Sequence, residues 1–137
     1  MRHIMRGIAA MGAGALLILG PGIGAAQAAG TDLCISINGE VRVQMGTATC
    51  SSVPSETGQP NRAFAKGANA EAIAGEVEGD SGNTARASGD GALAWAVYGD
   101  NNTATASAED STAWATFGDH NTATASGDGS RATLVAF

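Results

Sequence analysis

The sequence predicts an all-β chain: a two-sheet parallel β-solenoid, or β-roll, with a 19-residue coil, preceded by a disulfide-stapled β-hairpin. Three observations carry that expectation. The segment Asn83-Thr-Ala-Arg-Ala-Ser88 returns as Asn102-Thr-Ala-Thr-Ala-Ser107 and again as Asn121-Thr-Ala-Thr-Ala-Ser126. A fixed period of this kind marks units that bury their side chains only against their neighbours. Within each unit, alanines alternate with polar residues, and a glycine or aspartate interrupts the run every nine or ten residues, which opposes helix despite the alanine content. Ahead of the repeats, two cysteines flank an Asn-Gly pair, a strong two-residue hairpin signal.

From the amino terminus, Met1 to Arg6 is short and basic, Gly7 to Gly24 is apolar, and Ala26-Gln27-Ala28 fits a signal peptidase site. Residues 1–28 are therefore expected to be a signal peptide. The glycines and Pro21 inside the apolar stretch make it a poor membrane-spanning helix. No second spanning run, wall-sorting motif or lipidation cysteine follows, so no membrane insertion of the mature chain is expected. The expected location is secreted, either extracellular or held at a bacterial cell surface.

Residues 29–60 are expected to form a cap and linker. An even cysteine count in an oxidising compartment points to a Cys34–Cys50 disulfide. Cys34 to Ile37 alternates, Asn38-Gly39 turns, and Val41 to Gln44 alternates back. A staple on this hairpin suits a terminal cap for the repeats. Residues 51–60, rich in serine and proline, read as a polar connector.

Residues 61–137 are expected to form the solenoid, in four blocks beginning at Asn61, Asn83, Asn102 and Asn121, with extra residues between Gly75 and Gly82 in the first. Each block supplies two strands. Side chains alternate across a strand, so the rows Ala85/Ala104/Ala123 and Ala87/Ala106/Ala125 share one face and point inward. Thr84, Thr103, Thr105, Thr122 and Thr124 then form an outer hydroxyl grid, spaced about 7 Å along strands and about 4.8 Å between them. In the second strands, Ala94/Ala113/Ala132 and Ala96/Ala115/Leu134 point inward, in phase with Tyr98 and Phe117, which are expected to close an edge of the interior. Leu93, Trp95, Val97 and Trp114 fall on the outer face and form a candidate partner surface. An alanine interior offers little burial per residue, so an outward apolar stripe points to self-association, as a trimer or a stack.

Ala63-Phe-Ala-Lys-Gly-Ala-Asn-Ala-Glu-Ala72 and Gly99-Asp-Asn-Asn-Thr-Ala-Thr-Ala-Ser107 resemble the head repeats of YadA-like trimeric autotransporter adhesins. The resemblance covers residues 61–137 and implies a β-roll adhesive head; the shorter coil, stalk and membrane-anchoring domain of that family are not expected in this sequence. Ser111 to Ala123 also follows the strand-turn-strand layout of curli fibre subunits, with Phe117 and Ser126 where glutamines would stand. That likeness implies stacking of strands between chains.

With 7 basic against 13 acidic residues, a net charge of −6 argues against nucleic acid and anionic membranes as partners. No catalytic residues, cofactor or metal site are expected. Beyond the leader, His120 is the sole histidine, and neither a Gly-x-Ser-x-Gly elbow nor metal-ligand spacing occurs. The acidic turns Asp90/Glu109/Asp128 and Asp100/Asp119 lack the glycine-rich calcium nonapeptide and read as solvated. The expected function is a secreted, surface-associated structural or adhesive repeat protein without catalytic activity, with self-association and an extracellular ligand or glycan as partners. Ice binding through the threonine grid, or curli-like fibre formation, is the alternative.

Overall fold

A computed structural model describes residues 32–56 and 58–137. The expected leader lies outside them. Eleven strands run in chain order: β1 Leu33–Ile37, β2 Glu40–Met45, β3 Thr49–Ser52, β4 Arg62–Lys66, β5 Glu71–Ala74, β6 Thr84–Ser88, β7 Leu93–Val97, β8 Thr103–Ala106, β9 Thr112–Thr116, β10 Thr122–Ala125 and β11 Arg131–Val135. They form two sheets, one ordered β10-β8-β6-β4-β1-β2 and the other β11-β9-β7-β5-β3. Each coil supplies one strand to each sheet, so the chain is a two-sheet β-solenoid.

Parallel pairing is in register with the repeat. Ala85 lies beside Ala104, and Ala104 beside Ala123, in the first strands. Ala94 lies beside Ala113, and Ala113 beside Ala132, in the second. A slip of one residue would turn every alanine outward, so burial fixes the register. Ala63, Ala65, Ala72, Ala74, Ala85, Ala94, Ala96, Ala104, Ala106, Ala113 and Ala115 are all fully buried.

The cap joins both sheets. β1 and β2 form the expected antiparallel hairpin through Asn38 and Gly39, both with positive φ, and a bulge falls between Ile35 and Ser36. β1 then pairs antiparallel with β4, while β3 pairs parallel with β5. Ser51 and Ser52, expected in the connector, belong to β3. The Cys34–Cys50 disulfide therefore links β1 in one sheet to β3 in the other, rather than the two strands of the hairpin. Its Cα atoms are 5.6 Å apart, and beside it Ser36 Oγ meets Ser52 Oγ at 2.7 Å. A gap this narrow admits alanine, serine and cystine.

Three expectations about the second strands are corrected at their carboxyl ends. Val97, assigned to the outer face, is only 1% exposed. Its register partner Thr116 is only 9% exposed, so the position is buried in both coils. The last strand residue thus turns inward at the corner and breaks the alternation. Tyr98 and Phe117 follow in the left-handed region, with φ of 59° and 57°. They are carried outside instead of closing the interior, and Phe117 is 48% exposed. Leu134, in register with the buried Ala115, is 42% exposed on β11, an outermost strand of its sheet.

The same corners hold a buried asparagine ladder. Asn61, Asn83 and Asn102 are fully buried and Asn121 nearly so. The Oδ1 atoms of the first three each accept the backbone N–H of the asparagine one coil later: Asn83 N to Asn61 at 2.9 Å, Asn102 N to Asn83 at 2.9 Å, Asn121 N to Asn102 at 3.0 Å. The amide nitrogens mostly donate to corner carbonyls, Asn61 to Asp80 at 2.7 Å and Asn83 to Gly99 at 2.7 Å. Asn102 Nδ2 finds no partner. Buried polar groups are tolerated where they are paired, so this ladder ties successive coils with directional bonds that alanine cannot supply.

Candidate functional site

Two outer faces and one corner carry the side chains with chemical character. On the five-stranded sheet, Ile73, Trp95, Trp114 and Thr133 occupy one column through β5, β7, β9 and β11. Trp95 and Trp114 stack with centroids 5.4 Å apart and planes 11° off parallel. Leu93 lies on the neighbouring column beside Glu71, and Trp95 Nε1 donates to Glu71 Oε1 at 3.2 Å. Trp95 and Leu93 are half-buried, while Trp114 is 39% exposed. Of the four residues assigned to a partner face, Leu93, Trp95 and Trp114 come together, and Val97 does not. Because the indoles stack, each covers one ring face of the other, which leaves a ridge rather than an open aromatic platform.

At the adjoining corner, Tyr98 and Phe117 stack at 4.9 Å with planes 12° apart. The longer first coil folds against this corner. Asp80, 5% exposed, accepts four backbone N–H groups, from Glu76, Val77, Tyr98 and Gly99. The Glu76 side chain holds the Tyr98 phenol in its neutral form and raises its titration above the ordinary 10.0; desolvation and the negative charges of Glu76 and Asp80 act in the same sense. The native state therefore keeps this proton more tightly than the unfolded chain. The associated stability is present below the unfolded value and is lost as pH rises through the folded one. Tyr98 is the sole tyrosine, so tyrosinate absorbance reports it alone. The expected result is a midpoint above that of the denatured chain, shifted down in Glu76→Gln; identical midpoints would remove the contact.

On the six-stranded sheet, the threonines stand as expected in two columns. Thr84 pairs with Thr103 and Thr103 with Thr122; Arg86 pairs with Thr105 and Thr105 with Thr124. The columns continue into β4 as Arg62 and Phe64, with Lys66 beside Ser88 at the strand end. Arg86 lies over the Phe64 ring, 5.2 Å from its centroid.

The turn carboxylates bind the chain itself. Asp90 Oδ1 accepts Ala68 N at 2.9 Å, Asp100 Oδ1 accepts Ser81 N at 2.8 Å, and Asp119 Oδ1 accepts Asp100 N at 2.9 Å. Each reaches back one coil, so these aspartates hold corners together. Among the described residues, no group of three or more His, Cys, Asp or Glu side chains is placed to hold a metal ion, and no helix is long and apolar enough to cross a membrane.

The fold defines the chain as a β-solenoid. Comparison with protein-family models, with curated proteins and with solved structures finds no match. The residues that sequence reasoning left without a role are the asparagines that open each block. Their recurrence at Asn61, Asn83, Asn102 and Asn121 was the available signal. The adjacency of Arg62, Lys66 and Arg86 likewise exists only through the pairing of β4 with β6.

Proposed function

We propose that this protein is a secreted, surface-associated structural or adhesive module without catalytic activity, which self-associates through the ridge formed by Leu93, Trp95 and Trp114. The observation that carries this reading is the indole stack on an outer sheet face, where Trp114 keeps 39% of its surface exposed beside a solenoid whose interior is mainly alanine. Large aromatic surface contributes more to association than any residue in this interior contributes to the core. The alternating alanines and Gly-Asp-Asn turns that resemble adhesin head repeats support the same reading. At micromolar concentration the purified protein is expected to sediment as an oligomer and Trp114→Thr as a monomer. A monodisperse wild-type monomer would overturn self-association.

The in-register threonine columns favour ice binding as a second reading, although Arg86 and Phe64 interrupt one of them. Ice shaping by the same sample would select it; its absence would end it.

A further inference from the structure

The charges of this acidic chain are segregated. Arg62, Lys66 and Arg86 lie together on the outer face of the six-stranded sheet, on adjacent strands β4 and β6. Arg62 and Lys66 are four residues apart on one strand, about 13 Å, and Arg86 lies one strand spacing away, about 4.8 Å, on the row between them. Lys66 and Arg86 are exposed, and Arg62 is half-buried. The guanidinium of Arg86 is steadied over Phe64, which limits the freedom it would lose on binding.

None of the three cations makes an ion pair among the described residues. The one ion pair there joins Arg42 to Glu40 at 2.9 Å. Carboxylates at the ends of these strands bond to backbone instead: Asp32 takes Thr47 N at 3.0 Å, and Asp90 takes Ala68 N at 2.9 Å. A cationic sheet face without ion pairs therefore stands on a molecule of net charge −6, with Arg62 Nη1 donating to the Pro60 carbonyl at 3.5 Å. Beside it run the hydroxyls of Thr84, Thr103 and Thr105, in register with the cation rows.

We propose that this face docks an extended carboxylated polysaccharide, with Arg62, Lys66 and Arg86 meeting carboxylates and the threonine columns meeting sugar hydroxyls. Charge complementarity selects an anionic partner, and a guanidinium pairs carboxylate through two donors. Duplex nucleic acid is disfavoured: it carries one charge per about 1.7 Å, and the acidic remainder of this chain would repel it. A polysaccharide with one carboxylate per ring is sparser in charge and brings hydroxyls that the threonines can meet. This inference rests on the adhesive reading and names its ligand class, but uses the face opposite the tryptophan ridge.

The test is calorimetric titration of the purified protein with polygalacturonate, its fully methyl-esterified form and duplex DNA. Polygalacturonate is expected to bind, weakening as salt rises, with the ester and DNA each about tenfold weaker or more. The triple variant Arg62→Gln, Lys66→Gln, Arg86→Gln is expected to lose binding by about tenfold or more while keeping its β circular dichroism and its sedimentation. Trp114→Thr is expected to keep binding per chain within about twofold, which separates the two faces. Absent binding, equal binding of the ester, tighter binding of DNA, or a triple variant that binds normally would each overturn the proposal. A monodisperse wild-type monomer that still binds polygalacturonate would instead refute only the tryptophan interface.

Discussion

Asn83→Ala is expected to lower the unfolding free energy by about 4 kcal/mol, the largest effect of any single substitution considered. The change removes both functions of the carboxamide. Asn102 N–H loses its acceptor at 2.9 Å, and the Gly99 carbonyl loses its donor at 2.7 Å. Each group left unpaired in a buried corner costs about 1–3 kcal/mol, and the missing side-chain volume adds a cavity term. Alanine suits the sheets but not this corner, which is built around a carboxamide. Thr105→Ser, on the outer face one strand away, is expected to stay within about 0.5 kcal/mol. Urea unfolding of the two variants makes the comparison; equal midpoints would mean that the ladder contributes little.

The second large effect concerns the cap. Replacing Cys34 and Cys50 together by serine is expected to cost about 3 kcal/mol, the value for closing a loop of this size in the chain-entropy model. The bond joins the two sheets at β1 and β3, so its loss also loosens the strands that cover β4 and β5. Serine fits the narrow gap, as the Ser36–Ser52 contact beside it shows. The variant is therefore expected to fold, with a lower urea midpoint and faster amide exchange in β1 and β3 than in β7 and β9. Uniform destabilisation without that gradient would contradict a local role for the cap.

The alanine rows, the two strands per coil and the disulfide could be read from period-two patterning and cysteine count, because each follows from local geometry repeated at a fixed interval. Where the chain leaves the strand, that logic ends. Val97 continues the outward phase of Leu93 and Trp95, yet the corner rotates it inward, and the left-handed backbone of Tyr98 then throws the ring outside. Alternation carries no information about a residue whose φ changes sign. Asparagine at the head of each block reads as a turn residue in one coil. Its buried role exists only when a second coil supplies the N–H it accepts. The disulfide was assigned to a hairpin because its cysteines flank one; that it crosses between sheets depends on β3 joining β5. The basic face depended in the same way on which strands became neighbours.

A solenoid whose coils are joined through buried asparagines is the premise of every surface argument made above. Amide hydrogen exchange followed by NMR tests it most directly. The N–H groups of Asn83, Asn102 and Asn121 are expected among the slowest in the molecule, with protection like that of the alanine rows and far above that of the exposed turn residue Glu109. Exchange of those three at the rate of Glu109 would contradict the ladder and the stacking it holds in register.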